Sequence, residues 1–343
     1  MSCNTDIIKV GKKGHHVFSI ENFAIRKSIK GKKITLSGID DPADFILIPE
    51  QNLIVIIDGS GEYWGKTYSL DSLIYKKSII KKTETIQELK IINYNNESRL
   101  LYFADNYTKK IYSYSIDSIN LSNSNVLPTQ VLSFKGKDFN YRPVIRQDDG
   151  AIIEPRTNRN GSHASQFDFY FRNGKFNFSA GSFPSYIGGY KLHEVNEIFL
   201  GAINISKKSK RIVKNYFTTD LIDLFDSTGR LIKRVQGPTN FDPSFTREID
   251  GRIEYISFTK KSRFGYCGVP QYSKESFYFL YSGNYSSQEY SGNSILQFDS
   301  LLSPQSLYNL DVPIFTFKIN GDKQILYGLS KMFRSGMILY DLN

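Results

Sequence analysis

A chain of 343 residues with net charge +10 has room for two ordinary domains or one large all-β domain. Composition selects the second: alanine occurs only 7 times, while aromatic residues make up 14%, and aromatic and β-branched side chains suit a pleated, half-buried surface. Wholly apolar runs reach five residues, as in Leu53-Ile54-Val55-Ile56-Ile57, against the ~18 of a membrane helix, and 40% hydrophobic with 23% charged residues excludes a disordered chain.

In chain order, the first segment is the most basic. Residues 1–33 hold eight Lys and Arg against Asp6 and Glu21, a balance of +6. Residues 1–15 read as a basic tether or leader remnant, and 16–343 as a single repeat domain. Cys3, in Met-Ser-Cys-Asn, sits as the lipidated cysteine of a bacterial lipoprotein does, but a lipoprotein leader needs a basic and then an apolar stretch before it. Two readings stay open: a leader lying upstream, or a chance match.

Strands then follow in a recurring order. Phe45 to Ile48, a break at Pro49 to Asn52, and the apolar run Leu53 to Ile57 lead to Asp58-Gly59. Leu89 to Ile92 and Leu100 to Ala104 repeat this, as do Phe277 to Tyr281 after a break, and Phe315 to Lys318 with Ile325 to Leu329. A continuously apolar second strand is buried on both faces. Each unit closes on an apolar-Asp-Ser triplet: Leu70-Asp71-Ser72, Ile116-Asp117-Ser118, Phe225-Asp226-Ser227, Phe298-Asp299-Ser300 and the variant Leu339-Tyr340-Asp341-Leu342. The aspartates lie 46, 109, 73 and 42 residues apart, and the long gap hides one more unit, marked by Asn173-Gly174 between apolar residues. Asn-Gly is a strong hairpin signal, with positive φ expected at both turn positions. Six units of about 57 residues predict an all-β, six-bladed β-propeller with blades of about four antiparallel strands. Its ring should be closed by N- and C-terminal strands, the last strand, Met337 to Asp341, being completed by an early one near Ile34-Thr35-Leu36.

The last third resembles the TolB-like six-bladed β-propeller family of bacterial envelope lipoproteins. The resemblance rests on Phe264-Gly265-Tyr266, Phe277 to Gly283, Ile295 to Asp299 and Ile325 to Leu342, with Gly181-Ser182-Phe183-Pro184 as a glycine-aromatic-proline turn. It implies a periplasmic or outer-membrane-anchored protein if Cys3 is a lipoprotein cysteine, and otherwise a cytoplasmic one. Its members are mostly of unassigned function, so no catalytic residue is carried over.

Sites with chemistry are few. His193-Glu194-Val195-Asn196-Glu197 starts a zinc-protease motif but lacks the second His, and reads as a polar strand entry. The basic run Lys207-Lys208-Ser209-Lys210-Arg211, followed by Lys214, reads as a solvated hairpin tip, and Cys267 as a small buried hydrophobe. Four of 14 arginines, Arg142, Arg146, Arg156 and Arg159, fall within 18 residues near His163, and guanidinium forks suit carboxylates and phosphates. The competing reading pairs them with Asp148, Asp149 and Glu154 in a solvated loop. Trp64, between glycines, is either a stacking platform or a seal between blades. No cofactor and no metal is expected. The function read from these features is non-enzymatic: binding or scaffolding of a protein, peptide or glycan through one face, by a monomer touching membrane only through a lipid at Cys3. Nucleic acid is disfavoured because the excess charge sits at the N-terminus. The alternative is a hydrolase or lyase working in the central channel.

Overall fold

The computed structural model describes residues 9–10, 15–121, 126–134, 143–155, 165–184, 192–206, 208–250 and 253–343. Among these residues, six sheets of four or more strands follow one another along the chain, making a six-bladed β-propeller. Blade 1 is Pro42–Ile48, Leu53–Asp58, Tyr63–Ser69 and Tyr75–Lys81. Blade 2 is Leu89–Asn95, Leu100–Asp105, Lys110–Ser115 and Gln130–Ser133. Blade 3 is Val144–Ile145, Ile152–Pro155, Ser165–Tyr170 and Phe176–Ser182. Blade 4 is Gly201–Ile205, Ile212–Tyr216, Leu221–Phe225 and Leu231–Gln236. Blade 5 is Tyr266–Ser273, Ser276–Tyr281, Gly292–Phe298 and Pro304–Ile314. Blade 6 is Thr316–Asn320, Ile325–Ser330, Phe333–Asp341 and the early strand Lys32–Thr35. A separate hairpin, Phe245–Asp250 with Ile253–Phe258, lies between blades 4 and 5 in sequence.

The predicted closure is present, with Met337 opposite Ile34 and Gly336 opposite Thr35. The N-terminal segment covers two more outer strands. His16–Val17 runs parallel to Leu231–Gln236 of blade 4, and Ile25–Ile29 runs parallel to Pro304–Ile314 of blade 5. Lys9–Val10 pairs in turn with His16–Val17.

The repeated residues have local jobs. Leu53–Asp58 is buried throughout, as a strand covered on both faces must be. Asp58, at its end, accepts the backbone N–H of Asp41 and Ser60, and Asp105 does the same for Gln87, Tyr107 and Thr108. Asp226 accepts from Thr228 and Arg230, Asp299 from Leu301 and Ser303, and Asp341 from Asn343. These are turns in which a short carboxylate replaces a backbone partner, at the ends of second strands for Asp58 and Asp105 and of third strands for Asp226, Asp299 and Asp341. In the Asn173-Gly174 hairpin only Gly174 carries positive φ (79°), with its N–H donating to the Phe171 carbonyl, so one left-handed residue suffices.

Two compact units are distinguished: Met1–Lys30, Thr157–Phe167 and Ser179–Phe315, and Gly31–Arg156, Asp168–Phe178 and Thr316–Asn343. The first has a core of Phe18, Phe23, Phe277, Phe279 and Phe298, with the Phe18, Phe23 and Phe298 rings meeting edge to face. The second has a core around Val55, Leu101, Phe103 and Tyr114. Helices Ile116–Leu121 and Leu192–Ile198 are short, and no described helix is long and apolar enough to cross a membrane. Leu192–Ile198 corrects the expected strand entry at His193. Its Glu194 is buried and takes a bidentate ion pair from Arg247, with Nε at 2.6 Å and Nη2 at 3.0 Å.

Candidate functional site

In the second unit an open cleft of about 500 Å³ is lined by Gln130, Asp149, Ala151, Phe171, Arg172 and Asn173. One wall is the turn of the blade 3 hairpin. The Phe171 N–H donates to the Lys175 carbonyl, and Asn173 Oδ1 accepts the Lys175 N–H at 3.1 Å. This fixes Phe171 and Arg172 at the tip, where Phe171 is 52% exposed. The other wall is the 146–151 turn. Gly150 takes φ of 70°, and a Cβ there would stand 2.9 Å from Arg172 Cδ, so the bare glycine lets the Arg172 stem cross the turn.

Asp149 is fully engaged. Its Oδ1 accepts the Ala151 N–H at 2.9 Å and Arg146 Nε at 3.0 Å, and its Oδ2 accepts Arg146 Nη2. The Arg146 hydrogen bond holds the Asp149 carboxyl below the usual carboxylate range. Arg146, the one described member of the arginine cluster, is therefore paired within its own turn, with Asp148 also 3.9 Å away. Arg142, Arg156, Arg159 and His163 lie outside the described residues, as does Cys3. Arg172, outside that cluster, makes no ion pair among the described residues. The cleft thus offers a free guanidinium, an exposed aromatic ring and two amides, Gln130 and Asn173. Its one carboxylate is already bound. That set can hold an anionic group against an apolar face, but it supplies no acid–base pair and no activated nucleophile.

Trp64 is packed against the core of the second unit. Its Nε1–H donates to the Ile86 carbonyl at 3.2 Å, and Lys82 Nζ lies 4.7 Å from its ring centroid. Cys267 is buried, and burial pushes its thiol up to about 12.

The largest surprise lies in the first unit. Lys208, Ser209 and Lys210 are exposed at the predicted hairpin tip, but Lys214 is wholly buried in Ile212–Tyr216. The strand register places Lys214 opposite Asp223, and Asp223 opposite Arg234. Arg234 grips Asp223 through Nε and Nη2, both at 2.6 Å. The Tyr216 hydroxyl donates to Asp223 Oδ2 at 2.5 Å and lies 2.8 Å from Gln166 Oε1. Lys214 Nζ donates to the same Gln166 oxygen at 2.7 Å and lies within 6 Å of the Phe167, Phe183 and Tyr216 rings. Burial lowers the Lys214 ammonium to about 7, against the opposing pull of Asp223. Burial works in the same direction on Arg234, but Asp223 more than offsets it and holds the guanidinium above its ordinary value. This network is sealed, so it is a packing element rather than a site open to a ligand. Among the described residues, no three His, Cys, Asp or Glu side chains gather closely enough to hold a metal ion.

No family model and no curated protein matches the sequence. Solved structures do match the fold. The β-propeller domain of Cps50 (Swd1) from Myceliophteria thermophila aligns with a TM-score of 0.51 at 7% identity, covering 91% of this chain and 100% of that one. A member of the DUF4221 family from Bacteroides vulgatus aligns with a TM-score of 0.55 at 9% identity, covering 92% and 97%. Chaetomium thermophilum Raptor aligns with a TM-score of 0.52 at 12% identity over 92% of this chain but 29% of Raptor. At such identities the likeness concerns fold alone.

Proposed function

We propose that this chain is a non-enzymatic binding propeller that recognises an anionic group on a protein, peptide or glycan through the Arg172 cleft. The observation that carries the reading is the pairing of a free guanidinium with the exposed Phe171 ring, beside a carboxylate that Arg146 has already taken. Guanidinium forks bind carboxylate and phosphate through two parallel hydrogen bonds, and a neighbouring ring gives the rest of the ligand an apolar face. The test is to probe the full chain with arrays of acidic and neutral glycans and peptides. Acidic ligands should dominate the hits, and Arg172→Ala should weaken them about tenfold or more, as loss of a charged hydrogen bond does. Hits indifferent to charge and to Arg172→Ala would refute it, and turnover of any hit would point to an enzyme instead.

We also propose a place in the bacterial cell envelope, with a lipid at Cys3. The resemblance to the TolB-like family supports this, and the Bacteroides neighbour is consistent with a bacterial setting. Mass spectrometry of the native protein should find a diacylglyceryl group on Cys3. An unmodified Cys3 in a cytoplasmic fraction would rule this location out.

A further inference from the structure

The outer strand of a propeller blade is an open sheet edge, and natural proteins protect such edges with charge, brevity or a covering segment. Five blades here follow that rule. Blade 4 is covered by His16–Val17 and blade 5 by Ile25–Ile29. Blade 6 ends on a four-residue strand, Lys32–Thr35, with two lysines. Blade 2 ends on the four-residue strand Gln130–Ser133. Blade 1 ends on Tyr75–Lys81, which carries Lys76, Lys77 and Lys81 and is kinked at Ile80, φ 59°. Blade 3 breaks the rule. Phe176–Ser182 is seven residues long, has neither charge nor proline, and stands last in its sheet with no described strand beyond it.

That edge is also aromatic. Phe176 is 55% exposed and Phe178 38% exposed, and Phe178 stacks on Phe169 with ring centroids 4.4 Å apart. At its start, the hairpin tip carries Arg172 and Lys175, both exposed and neither ion-paired with a described carboxylate.

We propose that the outer edge of blade 3, from Phe176 to Phe178, takes an added β-strand from a partner protein, with acidic residues at the end that meets Arg172 and Lys175. The inference rests on the binding reading above and names the kind of ligand. Strand addition joins backbone hydrogen bonds, which give affinity, to side-chain contacts at alternate positions, which give specificity. Phe178 stacks on Phe169 while Phe176 meets Tyr170 edge to face, and those two partners are consecutive in one strand, so the two phenylalanines flank the edge on opposite faces and form the apolar part of the surface. The two cations decide the occupant's charge. A second copy of this chain, at +10, would bring the same cations to the edge, so an acidic segment is the better complement.

The experiment pans linear twelve-residue peptides displayed on phage against the full chain and measures the selected peptides in solution. Selected peptides should alternate apolar and polar residues and end in Asp or Glu. Their binding should slow amide exchange at residues 176–178. Arg172→Glu with Lys175→Glu should reduce affinity about tenfold or more and turn renewed selection towards basic peptides, which a merely structural role would not do. Phe176→Pro should abolish binding by removing an outward-facing backbone donor, since the Phe171 N–H bond to the Lys175 carbonyl turns the next residue's backbone away from the blade. If Phe176→Pro does not fold, the charge reversal decides alone, because both of its changes lie on the exposed turn. No enriched peptide, or peptides indifferent to the charge reversal, overturns the proposal. Ligands that need Arg172 but leave exchange at 176–178 unchanged overturn it while the binding reading stands. Concentration-dependent dimers that protect 176–178 would assign the edge to a second copy and overturn it too.

Discussion

Blades 3 and 4 are neighbours in sequence and opposites in how they treat polar groups and edges. Blade 4 has a covered outer strand and an internal row of charges, Lys214, Asp223 and Arg234, closed among aromatic rings. Blade 3 has an outer strand with no described strand beyond it, and the cations at its hairpin tip reach solvent. The contrast teaches that charge alone does not mark a binding site. Arginine on a sealed register position holds the fold together, whereas arginine on a turn beside an exposed ring is available to a ligand.

The comparison can be broken at four points. The largest effect should come from deleting residues 1–35. That removes the cover of blades 4 and 5 and the outer strand of blade 6 together, exposing three apolar edges. The deletion should aggregate or lose its cooperative melting transition in calorimetry. A soluble protein with unchanged melting would show that these edges need no cover.

Next comes Asp223→Ala. It leaves the buried Lys214 and the largely covered Arg234 without their carboxylate, a class of change that costs about 3–5 kcal/mol. Urea denaturation at pH 7 should report a loss of that size. A loss below about 1 kcal/mol would mean the row is not sealed.

A smaller effect of opposite sign is expected of Lys214→Met. Asp223 and Arg234 remain as a balanced pair, and a thioether suits a site among aromatic rings, so stability at pH 7 should be unchanged or raised by about 1–2 kcal/mol. The pH dependence distinguishes this from simple repacking. Folded Lys214 titrates at about 7, whereas a free lysine does so near 10.4. Between these values the unfolded chain binds more protons, so stability rises with pH, and below 7 both states are protonated and the penalty is complete. Cys267 acts oppositely once its unfolded thiol ionises near 8.5, since burial holds the folded thiol at about 12. The wild type should therefore gain about 1–2 kcal/mol from pH 7 to 8.5, and Lys214→Met should lose that slope. An unaltered slope in the variant would assign the titration elsewhere.

The smallest effect belongs to Arg172→Ala with Lys175→Ala. Neither side chain is tied to a described carboxylate, so melting should shift by no more than about 0.5 kcal/mol equivalent. A larger loss would place blade 3 with blade 4 as a structural use of charge.

The repeat was legible in the sequence because its marks are local. An aspartate that caps the turn two residues on, as Asp226 and Asp299 do, needs no distant partner, whereas in the matching triplets Asp71 pairs with Lys323 and Asp117 with Arg99. The doubly buried second strands and the Asn173-Gly174 turn were readable for the same reason, as was closure near Ile34, since an apolar terminal strand demands a partner. Lys214 was not readable. Five residues from Ser209 it follows a solvated tip, and its burial depends on register with Asp223 and Arg234 and on rings at 167 and 183, which no local pattern encodes. The helix at Leu192–Ile198 escaped because an anchor for Glu194 lies 53 residues away at Arg247. Arg172 stands alone in the sequence and carries no local mark, and pairing in space is not written in spacing: of the cluster beginning at Arg142, the described member Arg146 is taken by Asp149. What the sequence alone determined was therefore the number of blades, the strand order within them and the turns, all set by backbone geometry and short-range hydrogen bonds. Which charges are sealed, which edges are covered and whether a given arginine is paired was decided only by the tertiary structure, because each depends on what the rest of the chain brings alongside.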